Sequence, residues 1–170
     1  ALEHPAGTLP WQRLAEVRGV GVRTVPGSGD DGIDRDAYKD AVRGATLVCI
    51  SSVSWYAVSL PVAELVDIAH DAGADVVVDA AQSVGAEDIC VGDWGAEYVA
   101  APAHKWLLGP WGSGFLYVAP EAQCDGQERV GYKSAVSPDD SPELREDARR
   151  FEVSTSSPAL LAGTRAAIET

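Results

Sequence analysis

Short apolar runs alternate with amphipathic stretches along the chain, and turn residues separate them. Four apolar runs have the length of strands: 46–50 (TLVCI), 76–78, 98–101 and 114–118. Continuous apolar runs such as TLVCI are typical of strands buried on both faces of a sheet. A further strand is predicted over 20–25, where apolar and polar residues alternate.

Amphipathic stretches around these runs predict helices. Thr8 is a candidate N-terminal cap for a helix over 8–17, and Asp34 is one for the helix that follows it. Further helical segments are predicted over 144–150 and 159–169.

The clearest helix signal follows the first apolar run. Pro61 opens this helix and Gly73 ends it as a C-terminal cap, and one apolar stripe runs along it: Val62, Leu65, Val66 and Ala69. Strand, helix and strand in this order imply right-handed crossovers. The 170 residues, about one domain, are therefore predicted to form a three-layer α/β/α fold with a mostly parallel sheet.

Composition excludes several classes of protein. The apolar content of 46% is enough for a core and excludes a disordered chain. The 26 acidic and 13 basic residues give a net charge of −13, which argues against nucleic-acid binding and suits a salt-rich, halophilic cytosol. No apolar run reaches the roughly 18 residues of a membrane helix, and no secretory leader opens the chain, so no membrane association is expected.

The three cysteines are Cys49, Cys90 and Cys124, an odd number spaced far apart and without a CxxC pair. This spacing argues against a disulfide framework and against a metal site, and it favours a reducing, cytoplasmic location. Cys49 lies in a buried strand pattern and is predicted to be a small core residue. None of the three is expected to be catalytic.

Ligands of parallel α/β sheets bind at the carboxyl ends of strands, so the residues just after each strand are candidates for function. Asp79 ends the run VVVD and Gln82 follows in DAAQ, although such an aspartate can equally cap a turn. His104 and Lys105 follow the third strand. Burial among apolar residues lowers the pKa of a lysine and yields a nucleophilic amine, whereas a solvated surface lysine is the alternative interpretation.

Taken in order, five motifs resemble the large domain of class V aminotransferases, the pyridoxal-phosphate enzymes that include cysteine desulfurases and selenocysteine lyases. The motifs are E-H-x-A at 3–6, P-W at 10–11, D-A-A-Q at 79–82, H-K at 104–105 and G-P-x-G-x-G at 109–114. The resemblance implies a large domain of fold type I. It also implies that residues 1–170 form only part of that domain, without the N-terminal phosphate loop and the small C-terminal domain.

The resemblance also implies roles for single residues. Lys105 would form the Schiff base with pyridoxal 5′-phosphate and move the Cα proton of a small amino-acid substrate. Asp79 would keep the pyridine nitrogen protonated, which makes the ring an electron sink. Gln82 would hydrogen-bond the phenolic oxygen, His4 would stack on the ring, and His104 would help to hold the phosphate. Two tryptophans are candidates for the edge of this pocket: Trp55 and Trp106.

Thr155 would reach the phosphate of the neighbouring subunit's cofactor, which implies a homodimer. The chain also departs from the family pattern: Pro102 replaces a serine, Ser154 replaces a glycine, and 53–58 contains no Asn-x-x-Gly. Proline has neither a hydroxyl nor an amide hydrogen, so one phosphate contact is lost.

Three interpretations follow. The first is a pyridoxal-phosphate enzyme of the cysteine desulfurase or selenocysteine lyase type, because Glu3-His4 followed by Pro10-Trp11 is most similar to that branch. A class V aminotransferase or epimerase is the nearest alternative. The departures motivate a second interpretation, a non-catalytic relative that serves dimerisation or partner binding, but the joint presence of Asp79 and Lys105 favours the enzyme. A nicotinamide-binding Rossmann domain lacks support because no glycine fingerprint is present. In isolation, residues 1–170 are expected to be weakly active or inactive.

Overall fold

The computed structural model describes residues 3–28, 32–122, 129–137 and 141–170. Its main sheet has four strands in the order β1-β2-β3-β4. These strands are Leu47–Ser51, Asp75–Asp79, Tyr98–Pro102 and Gly114–Val118. The first three are mutually parallel, and β4 runs antiparallel to β3. The predicted α/β fold with a mostly parallel sheet is confirmed.

Helices and a small hairpin complete the described structure. The helices are α1 (Pro5–Arg18), α2 (Arg35–Val42), α3 (Val62–Asp71) and α4 (Pro158–Ile168). The hairpin consists of β5 (Ala135–Ser137) and β6 (Ser141–Leu144), and 3₁₀ turns lie at Val91–Trp94 and Ala148–Phe151. No helix among the described residues has both the length and the apolar character needed to cross a bilayer.

The hydrophobic core lies on one face of the sheet, beneath α2 and α3. The predicted apolar stripe of α3 is buried there, against Val76 and Val78 of β2. Tyr38 of α2 is only 2% exposed, and its hydroxyl donates a hydrogen bond to the carbonyl oxygen of Leu65 at 2.9 Å. Burial raises the pKa of Tyr38 to about 12. This bond fixes α2 to α3, so the layer that supports β1–β3 is tightly packed.

The opposite face of the sheet is less covered, and this corrects two predictions. β1 is not buried on both faces, since it is the outer strand of the sheet and Leu47 and Cys49 are exposed. Cys49 is therefore not a core residue. The thiol of Cys49 is nevertheless surrounded by protein. Desolvation raises the pKa of Cys49 to about 11. A hydrogen bond with Trp11 lowers this pKa, whereas the negative charge of Glu3 raises it further. Cys124 lies outside the described residues.

The first helix begins earlier than the sequence predicts. The residue before α1 is His4, whose Nδ1 accepts a hydrogen bond from the amide of Ala6 at 3.1 Å. Thr8 lies inside the helix, where its hydroxyl donates to the carbonyl oxygen of Pro5. An imidazole can cap a helix because its unprotonated nitrogen accepts a hydrogen bond as a serine or threonine oxygen does.

Two other predicted elements are wrong. The segment 20–25 forms no strand, because no neighbouring strand pairs with it within the described chain. The predicted helix over 144–150 is replaced by the end of β6 and a 3₁₀ turn. Asp147 accounts for the second difference, since its carboxylate binds both the amide and the guanidinium of Arg149 and so stabilises a turn.

Candidate functional site

The carboxyl ends of three parallel strands meet at one edge of the sheet. Ser51 at the end of β1 pairs in register with Asp79 at the end of β2, and Asp79 pairs with Ala100 near the end of β3. The loops that leave β2 and β3 carry Gln82 and Lys105. The fold thus brings the predicted residues of both loops to the edge where ligands of parallel sheets bind.

Asp79 offers one carboxylate oxygen to a ligand. Its Oδ1 accepts a hydrogen bond from the amide of Ala81 at 2.9 Å, so the residue does cap the turn that follows β2. Its Oδ2 has no donor among the described residues. The capping role and a ligand-binding role are therefore compatible, because each uses a different oxygen.

Gln82 is joined to the other loop by a hydrogen bond. The indole Nε1–H of Trp106 donates to Oε1 of Gln82 at 3.0 Å. An indole nitrogen only donates, so the amide oxygen of Gln82 must face Trp106 and its NH₂ group must face away. The bond links the loop after β2 to the loop that carries Lys105.

Gly85 lets these two loops approach each other closely. Its φ is +88°, and a Cβ at this position would lie 2.7 Å from the carbonyl carbon of Trp106. Any other residue would push the two loops apart. In the sequence, Gly85 is marked only as a glycine inside the segment DAAQSVG, which does not reveal the approach of the two loops.

The Lys105 loop is closed by backbone hydrogen bonds. The amide of Leu108 donates to the carbonyl oxygen of Lys105 at 3.0 Å, and the amide of Gly109 donates to that of Ala103 at 2.8 Å. The side chain of Lys105 is half-buried, and its Nζ has no partner among the described residues. The loop therefore holds the backbone of Lys105 firmly and leaves its amine available.

His104 stacks on an exposed tryptophan. Its ring centroid lies 4.2 Å from that of Trp111, and the two planes differ by 14°. Neither ring nitrogen of His104 has a hydrogen-bond partner in the described part of the chain. The stacking fixes the plane of the imidazole while its nitrogens remain available to an anion.

His4 lies near the same edge. Ser51 donates a hydrogen bond to Oε2 of Glu3 at 2.5 Å, which places the start of α1 beside the ends of β1 and β2. The ring of His4 meets that of Trp55 edge to face, with the centroids 4.7 Å apart. Because Nδ1 caps α1, only Nε2 of His4 is available to another group.

Thr155 stands apart from the other five predicted residues. It is exposed between the second 3₁₀ turn and α4, and its hydroxyl is hydrogen-bonded to that of Tyr132. No contact found among the described residues joins it to the loops after β2 and β3. The structure therefore gathers five of the six predicted site residues at one edge and leaves Thr155 outside this group.

The whole chain matches a family of known proteins. The family model described as "Aminotransferase class-V" matches residues 1–170. The chain belongs to the class V aminotransferase family. A probable cysteine desulfurase from Methanothermobacter thermautotrophicus is 43% identical over 124 residues, which are 72% of this chain and 31% of that protein. The chain thus spans about a third of that relative.

Solved members of the family have the same fold. The apo cysteine desulfurase of Thermococcus onnurineus matches with a TM-score of 0.82 and 34% identity, over 98% of this chain and 42% of that one. The cystine C–S lyase C-DES matches in its complex with cysteine persulfide with a TM-score of 0.83 and 28% identity, over 99% and 47% of the two chains. A mutant C-DES, 27% identical and with a TM-score of 0.84, carries glycine covalently linked to its PLP cofactor. These matches cover 99% of this chain and 46% of that one.

Proposed function

We propose that this chain belongs to a pyridoxal-phosphate-dependent enzyme that acts on an amino acid through Lys105, with cysteine desulfuration as the leading reaction. One observation carries the proposal: the Trp106–Gln82 hydrogen bond and the close packing at Gly85 bring the Asp79 and Lys105 loops together. The names of the relatives support the reaction, while the matched part is under half of their length.

The polar groups at this edge match the chemical groups of the cofactor. Within the described parts of the chain, Oδ2 of Asp79 and the NH₂ group of Gln82 have no partner, so they could serve the protonated pyridine nitrogen and the phenolic oxygen. Lys105 has an amine for the aldehyde, and no described residue pairs with it. This set of a carboxylate, an amide and an amine fits the pyridine nitrogen, the phenolic oxygen and the aldehyde of pyridoxal phosphate.

When bound, pyridoxal phosphate supplies an aldehyde that joins an amine and a protonated ring that accepts electrons from the substrate's Cα. Asp79 keeps the proton on the pyridine nitrogen, because its negative charge stabilises the cationic ring. Lys105 would supply the amine that holds the aldehyde and would be the base for the proton on the substrate's Cα.

The imidazoles have binding roles in this proposal. His104, held in plane by Trp111, would help to hold the phosphate with a ring nitrogen. His4, whose imidazole meets Trp55 edge to face, would stack on the cofactor ring. Aromatic contacts of this kind exclude water from the reacting atoms, which strengthens the electrostatic interactions with Asp79.

Labelling of Lys105 tests the proposal. Incubation of the protein with pyridoxal phosphate is expected to give a visible absorption band, and borohydride reduction is expected to fix the label on Lys105. This chain has only two other lysines, Lys39 and Lys133, so peptide mapping identifies the labelled one directly. Lys105→Ala should lose both band and label, whereas the control Lys39→Ala on α2 should keep them. A Lys105→Ala protein that still gives the band would refute the assignment.

Product analysis distinguishes the three interpretations. A desulfurase releases alanine and sulfide in equal amounts from cysteine when a dithiol is present. An aminotransferase requires an acceptor keto acid instead, and an epimerase exchanges the Cα hydrogen without net conversion. A protein that binds no cofactor at saturation would favour the non-catalytic relative, as Pro102 and Ser154 suggest.

The homodimer is part of the same proposal. Thr155 is exposed and has no contact with the other five residues within the described chain, as expected for a group that serves the site of a second subunit. Mixing inactive Lys105→Ala protein with weakened Thr155→Val protein should restore activity in mixed dimers, because one of their two sites is intact. Mixtures no more active than their components would exclude this arrangement.

The cytoplasm is the proposed location of the protein. Among the described residues Cys49 and Cys90 are free thiols. Unpaired cysteines persist in a reducing compartment and are oxidised or paired elsewhere.

A further inference from the structure

We infer that Trp106 is a positioning residue that fixes the amide of Gln82, so that its NH₂ group and not its oxygen faces the cofactor. The bond between Nε1 of Trp106 and Oε1 of Gln82 measures 3.0 Å. The inference rests on the proposed function and adds to it a residue outside the motifs discussed above. It concerns the choice between the two orientations of the amide.

A glutamine amide has two nearly isosteric orientations, with an acceptor on one side and donors on the other. Only a donor stabilises a phenolate oxygen, whereas an amide oxygen turned toward it would be repelled. Trp106 removes this ambiguity. Its indole N–H can only donate, so the hydrogen bond forms with only one orientation of the Gln82 amide. The donor is therefore oriented before the cofactor arrives, and binding need not reorient it.

Trp106 is itself held in place by its backbone. The carbonyl carbon of Trp106 lies against Gly85, and the amide of Leu108 closes the loop onto the carbonyl oxygen of Lys105. The side chain of Trp106 is 53% exposed, so packing in the core does not account for a tryptophan at this position. Within the described chain, the indole nitrogen of Trp106 makes its hydrogen bond to Gln82.

The first test uses the cofactor-free, full-length protein with ¹⁵N-labelled indoles. The Trp106 signal, assigned by its loss in Trp106→Phe, is expected to show slowed hydrogen exchange. Gln82→Leu should accelerate this exchange, because no acceptor remains. Gln82→Glu should keep it slow, because a carboxylate oxygen still accepts. Equal exchange of the Trp106 indole hydrogen in the wild-type, Gln82→Leu and Gln82→Glu proteins would overturn the inference without reference to any cofactor.

The second test measures the pH at which the visible band of the bound cofactor titrates. A donor to the phenolate favours the deprotonated chromophore, so losing it should raise the midpoint by about one pH unit, a tenfold change in proton affinity. We expect this rise in Gln82→Glu, which keeps the Trp106 bond but has no donor. We also expect a rise in Trp106→Phe, which keeps the amide but frees it to flip.

Leu108→Ala is the matched control in this titration. Leu108 is 84% exposed and lies two residues further along the same loop, so its loss changes the loop surface without removing the bond. An unchanged midpoint in a loaded Trp106→Phe protein would overturn the inference and leave the proposed function intact. A wild-type protein that takes up no cofactor on Lys105 would overturn both, while the exchange experiment would still report on the bond itself.

Discussion

Replacing Gly85 by alanine tests the contact between the loops that follow β2 and β3. A left-handed backbone costs a residue with a Cβ about 1–2 kcal/mol, and φ of Gly85 is +88°. The new Cβ would also lie 2.7 Å from the carbonyl carbon and 2.8 Å from the carbonyl oxygen of Trp106. Forced overpacking costs a further 1–3 kcal/mol or so, because backbone atoms cannot rotate away. The sum predicts a loss of about 2–5 kcal/mol in the free energy of unfolding.

Gly73→Ala is the matched control. Its φ is +80°, but no atom lies within 4 Å of the position its Cβ would take. The free energy of unfolding of this variant should fall only by the cost of the left-handed backbone, about 1–2 kcal/mol. Urea unfolding of both variants is monitored by circular dichroism. The difference between their free energies of unfolding gives the cost of the close contact at Gly85. If Gly85→Ala is no less stable than Gly73→Ala, the loops do not touch as described. Gly85→Ala should also weaken cofactor uptake, because moving the two loops apart separates Gln82 from Trp106.

Three further outcomes are expected. Tyr38→Phe should lower the free energy of unfolding by about 1 kcal/mol, measured by denaturant titration, because the hydroxyl no longer binds the carbonyl of Leu65. Glu97→Ala should cost about 1–3 kcal/mol in the same titration, since it leaves the amide of Val76 without its acceptor at 2.7 Å, and Glu97→Gln should recover most of the loss. With the other cysteines replaced by serine, the alkylation rate of Cys49 should keep rising as the pH approaches 11, because only the thiolate reacts; a plateau near pH 9 would contradict the raised pKa.

Local patterns were sufficient for much of the fold. The apolar stripe of α3, its end near Gly73 and the strands β2 to β4 follow from hydrophobic spacing and turn residues that act within a few positions. The positions of Asp79 and Lys105 after parallel strands also follow, because the carboxyl ends of such strands share one edge. Spacing alone did not give the roles of these residues, which came from the order of the motifs.

Other features depended on neighbours far away in the sequence. The segment 20–25 has the alternation of a strand but no strand beside it, and a strand needs a partner for its backbone groups. Cys49 has an apolar context but is exposed, because exposure depends on what covers β1 and not on β1 itself. The direction of β4 and the turn after β6 were likewise decided by pairing and by the local bonds of Asp147.

The sequence by itself determined which polar groups stand at the sheet edge, since a carboxylate, an amide and an amine are properties of Asp79, Gln82 and Lys105 alone. Only the tertiary structure decided how they are oriented. The amide oxygen of Gln82 accepts a hydrogen bond from Trp106, 24 residues away, and the approach of the two loops depends on the absence of a Cβ at Gly85. Hydrogen-bond direction and steric clearance are relations between atoms in space, and a hydrophobic pattern along one dimension does not contain them.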